Sequence, residues 1–264
     1  MIDRRQFASL LCATSFPFLF SCRRNNMKDP ATFVKKLAKF ERPFIRLELS
    51  EGDPGPLPVM KLGGVPWWPK GIERPRCVDG HDMGFVAQIR LDEVPGFDQP
   101  PMLLSFHYCE ICTYEGKMPF GWEDAGHQLR YRLSLFRDLE RTSVDGLGIV
   151  GESRIAAQKA EYAPGRETLG IEDIWERFPE TRGPGGIPAS AEFVHEERTK
   201  IGGWPSWVQQ PVRPQDEMGN QMDFVGQLDL YACPDSAWCT GYAYLFASPP
   251  AEDEQEAELI IQTT

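Results

Sequence analysis

Five cysteines lie beyond Cys22 in this chain, and their spacing is the feature most able to do chemistry. Cys109-x-x-Cys112 has the separation of a metal-ligand pair, and Cys233 with Cys239 spans a loop between two predicted strands further along. Four thiolates in two pairs can hold a structural zinc tetrahedrally. In an oxidising compartment the same residues form disulfides instead, with Cys233 to Cys239 closing its own loop. Unpaired thiols are the third reading, because neither pairing nor proximity follows from sequence. Cys109, Cys112, Cys233 and Cys239 are therefore candidate metal or disulfide residues, and Cys77 belongs to neither pair. His107-x-Cys109 can extend a metal site, although an isolated histidine is more often a surface or core residue. A redox dithiol at Cys109 and Cys112 would need to open a helix, and here it follows a predicted strand.

A second set of residues is marked by repetition. Lys61-Leu-Gly-Gly-Val-Pro-Trp-Trp68 returns 139 residues later as Lys200-Ile-Gly-Gly-Trp-Pro-Ser-Trp207. Met83 to Leu91 returns as Met222 to Leu230, and 13 of the 31 positions from Lys61 to Leu91 are identical at that offset. Unrelated segments share about 2, so the chain is expected to be an internal duplication with two similar halves about a pseudo-two-fold axis. Paired glycines permit positive φ or close backbone approach, the proline restrains the following turn, and the tryptophan covers apolar surface. Gln88 and Gln227 fall at matching positions on the predicted strand face opposite its apolar row. Each amide can bridge neighbouring backbone in the Gly-Gly loop, or with Trp68 and Trp207 line a ligand cleft between the halves.

With Phe85-Val-x-Gln88-Ile-x-Leu91 following Gly63-Gly64-x-Pro66 at fixed distance, and both recurring, residues 30 to 247 resemble the YwqG-like family of uncharacterised bacterial proteins. That resemblance implies a duplicated α+β fold and no known activity. Some members are thought to be immunity-type or other binding proteins.

The N-terminus bounds location and partners. Arg4-Arg5-Gln6-Phe7, then an apolar run from Ala8 to Phe20, resembles a twin-arginine export signal, with Asp3 leaving the general secretory route open. The run is too short to cross the roughly 30 Å hydrocarbon core. Leu19-Phe20-Ser21-Cys22 resembles a lipoprotein box, which makes Cys22 the expected lipidation site and the lipid the only expected membrane contact. Residues 1–22 thus form an export signal and 23–264 the folded region. Without Asp3, Arg4 and Arg5 the remaining chain carries 26 basic against 38 acidic residues. Nucleic acid is a poor partner for such a surface.

The elements that position these residues are predicted from periodicity. An apolar face over 31–41 and another over 171–178 give a helix at the start of each repeat, about 30–141 and 170–250. Strands are expected over 44–49, 83–91, 102–108, 129–135, 222–230 and 241–246. Residues 153–162 are expected to be helical within a linker near 142–170. Frequent strands and few helices favour α+β with mainly antiparallel sheet. No phosphate loop, nucleophile elbow or zincin helix is present, so no catalytic residue is assigned. The leading expectation is a non-enzymatic exported binding protein for an unidentified protein or small molecule, and the alternative is a hydrolytic or metal-assisted enzyme.

Overall fold

The computed structural model describes residues 30–262 except 53, 56, 70, 99, 110, 113–130, 138, 140–156, 183–185, 188–194, 232–240 and 249–255. Cys22, Cys233 and Cys239 lie outside the described residues.

A single ten-stranded antiparallel sheet dominates the chain and nearly closes into a barrel. Its strands are β1 (Arg42–Glu51), β2 (Lys61–Leu62), β3 (Gly84–Arg90), β4 (Leu103–Tyr108), β5 (Tyr131–Phe136), β6 (Gln158–Glu167), β7 (Lys200–Gly202), β8 (Asp223–Asp229), β9 (Tyr242–Ala247) and β10 (Ala257–Gln262). They lie in the order β10-β9-β8-β7-β1-β6-β2-β3-β4-β5. The two edge strands meet where Tyr131 of β5 donates its hydroxyl hydrogen to the Leu259 carbonyl of β10, 3.1 Å away. Joining the edges hides backbone that would otherwise invite another strand.

Two short helices, α1 (Pro30–Leu37) and α2 (Ile171–Arg177), pack against each other outside the sheet. Phe33 and Leu37 of α1 meet Ile174 of α2 and Leu169, with Phe33 and Phe178 edge to face at 5.4 Å. The helical expectations for 31–41 and 171–178 thus hold, and the strands expected over 44–49, 102–108, 129–135 and 241–246 are present.

Two local expectations are corrected. Residues 158–162 are strand, because β6 pairs with β1 along ten positions from Arg42↔Glu167 to Glu51↔Gln158. A long ladder supplies more hydrogen bonds than a lone helical turn, so the tertiary partner overrides local preference. The linker expected near 142–170 therefore contains a central strand, placed between β1 and β2.

The second correction concerns the apolar row from Met83 to Leu91. A register shift between Phe85 and Ala87 breaks the alternation, and the same shift falls between Phe224 and Gly226. A bulge reverses side-chain parity. Val86, Ala87 and Ile89 enter the barrel core, while Phe85 turns outward to the His107 ring at 5.5 Å. In β8, Val225 and Leu228 join that core while Phe224 packs with Trp207 and Phe246 outside it. Both faces of β3 and β8 are consequently buried.

Candidate metal centre

The turn that leads into β3 brings two side chains together. Gly80 takes φ +82°, Cys77 N–H donates to the His81 carbonyl at 3.0 Å, and Gly80 N–H returns to the Cys77 carbonyl at 2.9 Å. Arg76 bridges Asp82 across the base of this tight hairpin. Cys77 and His81 therefore stand side by side at its tip. Cys109 follows directly on β4, hydrogen-bonded along β3, and Cys112 lies three residues beyond it.

Four ligand atoms converge there. The Sγ atoms of Cys77, Cys109 and Cys112 and a ring nitrogen of His81 all lie within 4.8 Å of one another. Nδ1 of His81 is 3.5, 3.8 and 3.6 Å from the three sulfurs in that order, and the Cys77 and Cys112 sulfurs are 3.7 Å apart. The three cysteines are buried and unbridged, and His81 is partly exposed. Burial pushes Cys109 and Cys112 up, with neighbouring thiols adding to it at Cys112. Burial also raises Cys77, but hydrogen bonds from His81, Cys109 and Asp79 outweigh it and leave that thiol below its ordinary value.

The cluster can bind a metal such as zinc. Zinc–sulfur bonds of about 2.3 Å and a zinc–nitrogen bond of about 2.0 Å place tetrahedral ligands about 3.8 Å (sulfur to sulfur) and about 3.6 Å (nitrogen to sulfur) apart. The four measured edges fall close to those lengths. Three sulfurs and one imidazole also match the soft-to-borderline donor set that zinc selects.

The predicted ligand set was half of this one. Cys109 and Cys112 are brought together, Cys77 and His81 complete the group, and Cys233 and Cys239 fall outside the described residues. His107 stands outside this group. It is buried against Trp68 at 5.0 Å and Phe85, and burial lowers its pKa to about 3. The missing signal was Cys77-x-x-x-His81, with His81 lying 28 residues before Cys109, which only a hairpin at 76–82 makes adjacent.

A hairpin of the same pattern recurs 139 residues later without the metal ligands. Asp216 N–H donates to the Asn220 carbonyl, Gly219 N–H to the Asp216 carbonyl, and Gln215 bridges Gln221. Asp216 stands where Cys77 does and Asn220 where His81 does. Their side chains bond each other directly, Asn220 Nδ2 to Asp216 Oδ2 at 3.0 Å, with Asn220 N–H on Asp216 Oδ1 at 2.7 Å.

The glutamine pair is engaged with backbone. Gln88 accepts from Trp67 N–H at 2.9 Å and donates to the Leu57 and Val59 carbonyls. Gln227 accepts from Ser206 N–H at 2.9 Å and donates to the Glu197 and Arg198 carbonyls. The glycines beside them, Gly63, Gly64, Gly202 and Gly203, all take positive φ between 60° and 72°. Trp68 packs on His107 and Phe136, and Trp207 on Tyr244 and Phe246.

Matching residues 60–249 is the model of a family described as a domain of unknown function, DUF1963. The chain belongs to that family. No curated protein matches it. The DUF1963 match covers both glycine turns, all four converging ligands and β2 to β9.

This DUF1963 chain also holds a buried ion pair that its sequence did not announce. Lys200 Nζ is 2.7 Å from both oxygens of Glu167, and both side chains are fully buried. Burial lowers Lys200 to about 8 and raises Glu167. Trp204 and Glu196 N–H groups complete the carboxylate's partners, and His195 lies 3.5 Å from it. At the matching position Lys61 instead donates to the Gly55 and Val65 carbonyls.

Proposed function

We propose that this protein is a non-enzymatic binding protein whose first half is locked by a structural zinc ion. The observation that carries this reading is the convergence of Cys77, His81, Cys109 and Cys112, with Nδ1 of His81 3.5 to 3.8 Å from the three sulfurs, the Cys77 and Cys112 sulfurs 3.7 Å apart, and all four ligand atoms within 4.8 Å of one another. Four protein ligands fill a tetrahedron and leave no open position for substrate, which is the pattern of a structural site. The second half supports the same role: Asp216 and Asn220 close the matching hairpin with hydrogen bonds, where the first half would use metal. On this reading the chain arose by duplication and belongs with the YwqG-like proteins. The N-terminal segment exports it and Cys22 anchors it by lipid. A twin-arginine route suits a protein that folds around its metal before export, and the bound metal then protects the thiols from oxidation.

Metal analysis of protein purified without chelator tests this. One zinc per chain is expected, together with thiolate-to-metal absorption near the ultraviolet edge when cobalt replaces zinc. Protein that retains no metal at stoichiometric zinc, or that retains it equally in Cys77→Ser and His81→Ala variants, overturns the assignment.

A further inference from the structure

A pocket of about 150 Å³ opens beside the start of α2, outside the metal centre. An apolar cavity of about this volume holds a benzene-sized guest, so there is room for one small headgroup. Trp207 and Tyr242 supply aromatic walls, and Glu172 and Glu197 supply carboxylates. Among the described residues no lysine or arginine lines it.

The floor holds Ser206 and His195, and the Ser206 hydroxyl is already engaged. Ser206 Oγ donates to the Glu196 carbonyl at 2.6 Å and accepts from Lys200 at 3.3 Å. Lys200 is itself neutralised by Glu167 at 2.7 Å. Burial lowers His195 to about 4, so it is uncharged near neutrality. The floor therefore offers neither a free nucleophile nor a positive charge. Charge in the pocket comes from its walls, and burial followed by Asp173 and Glu197 raises Glu172, as expected of acids held together without a cation between them.

The first half lacks this pocket chemistry. Positions 139 residues before Glu197, Ser206 and Tyr242 are Pro58, Trp67 and Leu103. The exchange of a bulky indole for a serine makes room, and a glutamate and a tyrosine appear around the space it leaves.

We infer that this pocket binds a small organic cation, an alkylammonium or guanidinium group, held against the Trp207 and Tyr242 rings that line it and by the carboxylates of Glu172 and Glu197. Aromatic faces attract such cations, and carboxylates beside them set charge selectivity. The group can belong to a free amine or to a lysine or arginine side chain of a partner peptide. This site is independent of the metal reading, and zinc content reports on that reading separately.

Calorimetric titration of the full chain with tetramethylammonium, methylguanidinium, and capped lysine and arginine amides tests the inference, with acetate as the anionic control. Saturable millimolar binding of at least one cation is expected, weakened about three- to tenfold by Glu197→Gln and by Tyr242→Leu, the residue at position 103. Zinc content and melting temperature should not change in either variant. Stronger binding of the capped amides assigns the site to a peptide side chain, and stronger binding of the free cations assigns it to a small molecule. Absence of saturable cation binding, binding indifferent to both substitutions, or equal binding of acetate overturns the proposal.

Discussion

Four side chains decide the chemistry of the first hairpin. Zinc present at a hundredfold its dissociation constant would stabilise the fold by about 2.7 kcal/mol. For a chain of this size that corresponds to about 5–10 °C in melting temperature. Thermal melts with and without a strong chelator should differ by that amount, and the Cys112→Ser variant should melt at the chelated temperature under both conditions. A second residue, His107, governs acid stability. Its folded pKa is about 3, below the ordinary 6.5, so under pH 6.5 the unfolded chain gains a proton that the fold refuses. Stability is therefore lost as pH falls from 6.5 toward 3. Position 246 shows what fits in this aromatic niche without titrating, since Phe246 meets Trp207 and Phe224 as His107 meets Trp68 and Phe85. Denaturant melts of His107→Phe at pH 7 and pH 4 should show about 3 kcal/mol less acid destabilisation than the parent. Cys109-x-x-Cys112 was legible in the sequence as a ligand pair. Its partners were not, because Cys77 and His81 become neighbours only through a turn, and their proximity to Cys109 depends on the pairing of β3 with β4.

Among the elements, the glycine turns and the strands after them are joined by one amide each. Gln88 and Gln227 make three backbone hydrogen bonds apiece from fully buried positions. Truncation leaves buried backbone groups unpaired at roughly 1–3 kcal/mol for each group not rescued by water. Gln88→Ala and Gln227→Ala should each lose about 2–3 kcal/mol in urea unfolding, and zinc binding should weaken only in the first. The turns could be read from Gly-Gly-x-Pro because positive φ leaves few alternatives. The faces of β3 and β8 could not. A single bulge at Phe85 and at Phe224 reverses parity, and nothing in an alternating row of apolar residues marks where it falls. The strand β6 escaped for a related reason, since Gln158 to Tyr162 has ordinary helix formers and its partner is over a hundred residues away.

For the whole molecule, closure of the sheet rests partly on the contact between its edges. Tyr131 donates to the Leu259 carbonyl and lies 3.0 Å from Glu258. Tyr131→Phe should cost about 1 kcal/mol and raise the rate of concentration-dependent aggregation, which light scattering would follow. Antiparallel sheet with few helices was foreseeable from strand spacing. The near-closing of one sheet from β1 to β10 was not, because hydrophobic alternation says which face is buried and does not say which strands are neighbours.

That strand order carries a further consequence. β1, from the first half of the chain, lies against β7 of the second, while β6, from the second half, lies against β2 of the first. Strands from the two ends of the chain are thus interleaved at the centre of the sheet. Neither half can then melt by itself, because removing one strips a strand from the other. Loss of metal at the first hairpin should consequently lower a single cooperative calorimetric transition of the entire sheet, with matching van't Hoff and calorimetric enthalpies, instead of separating it into two.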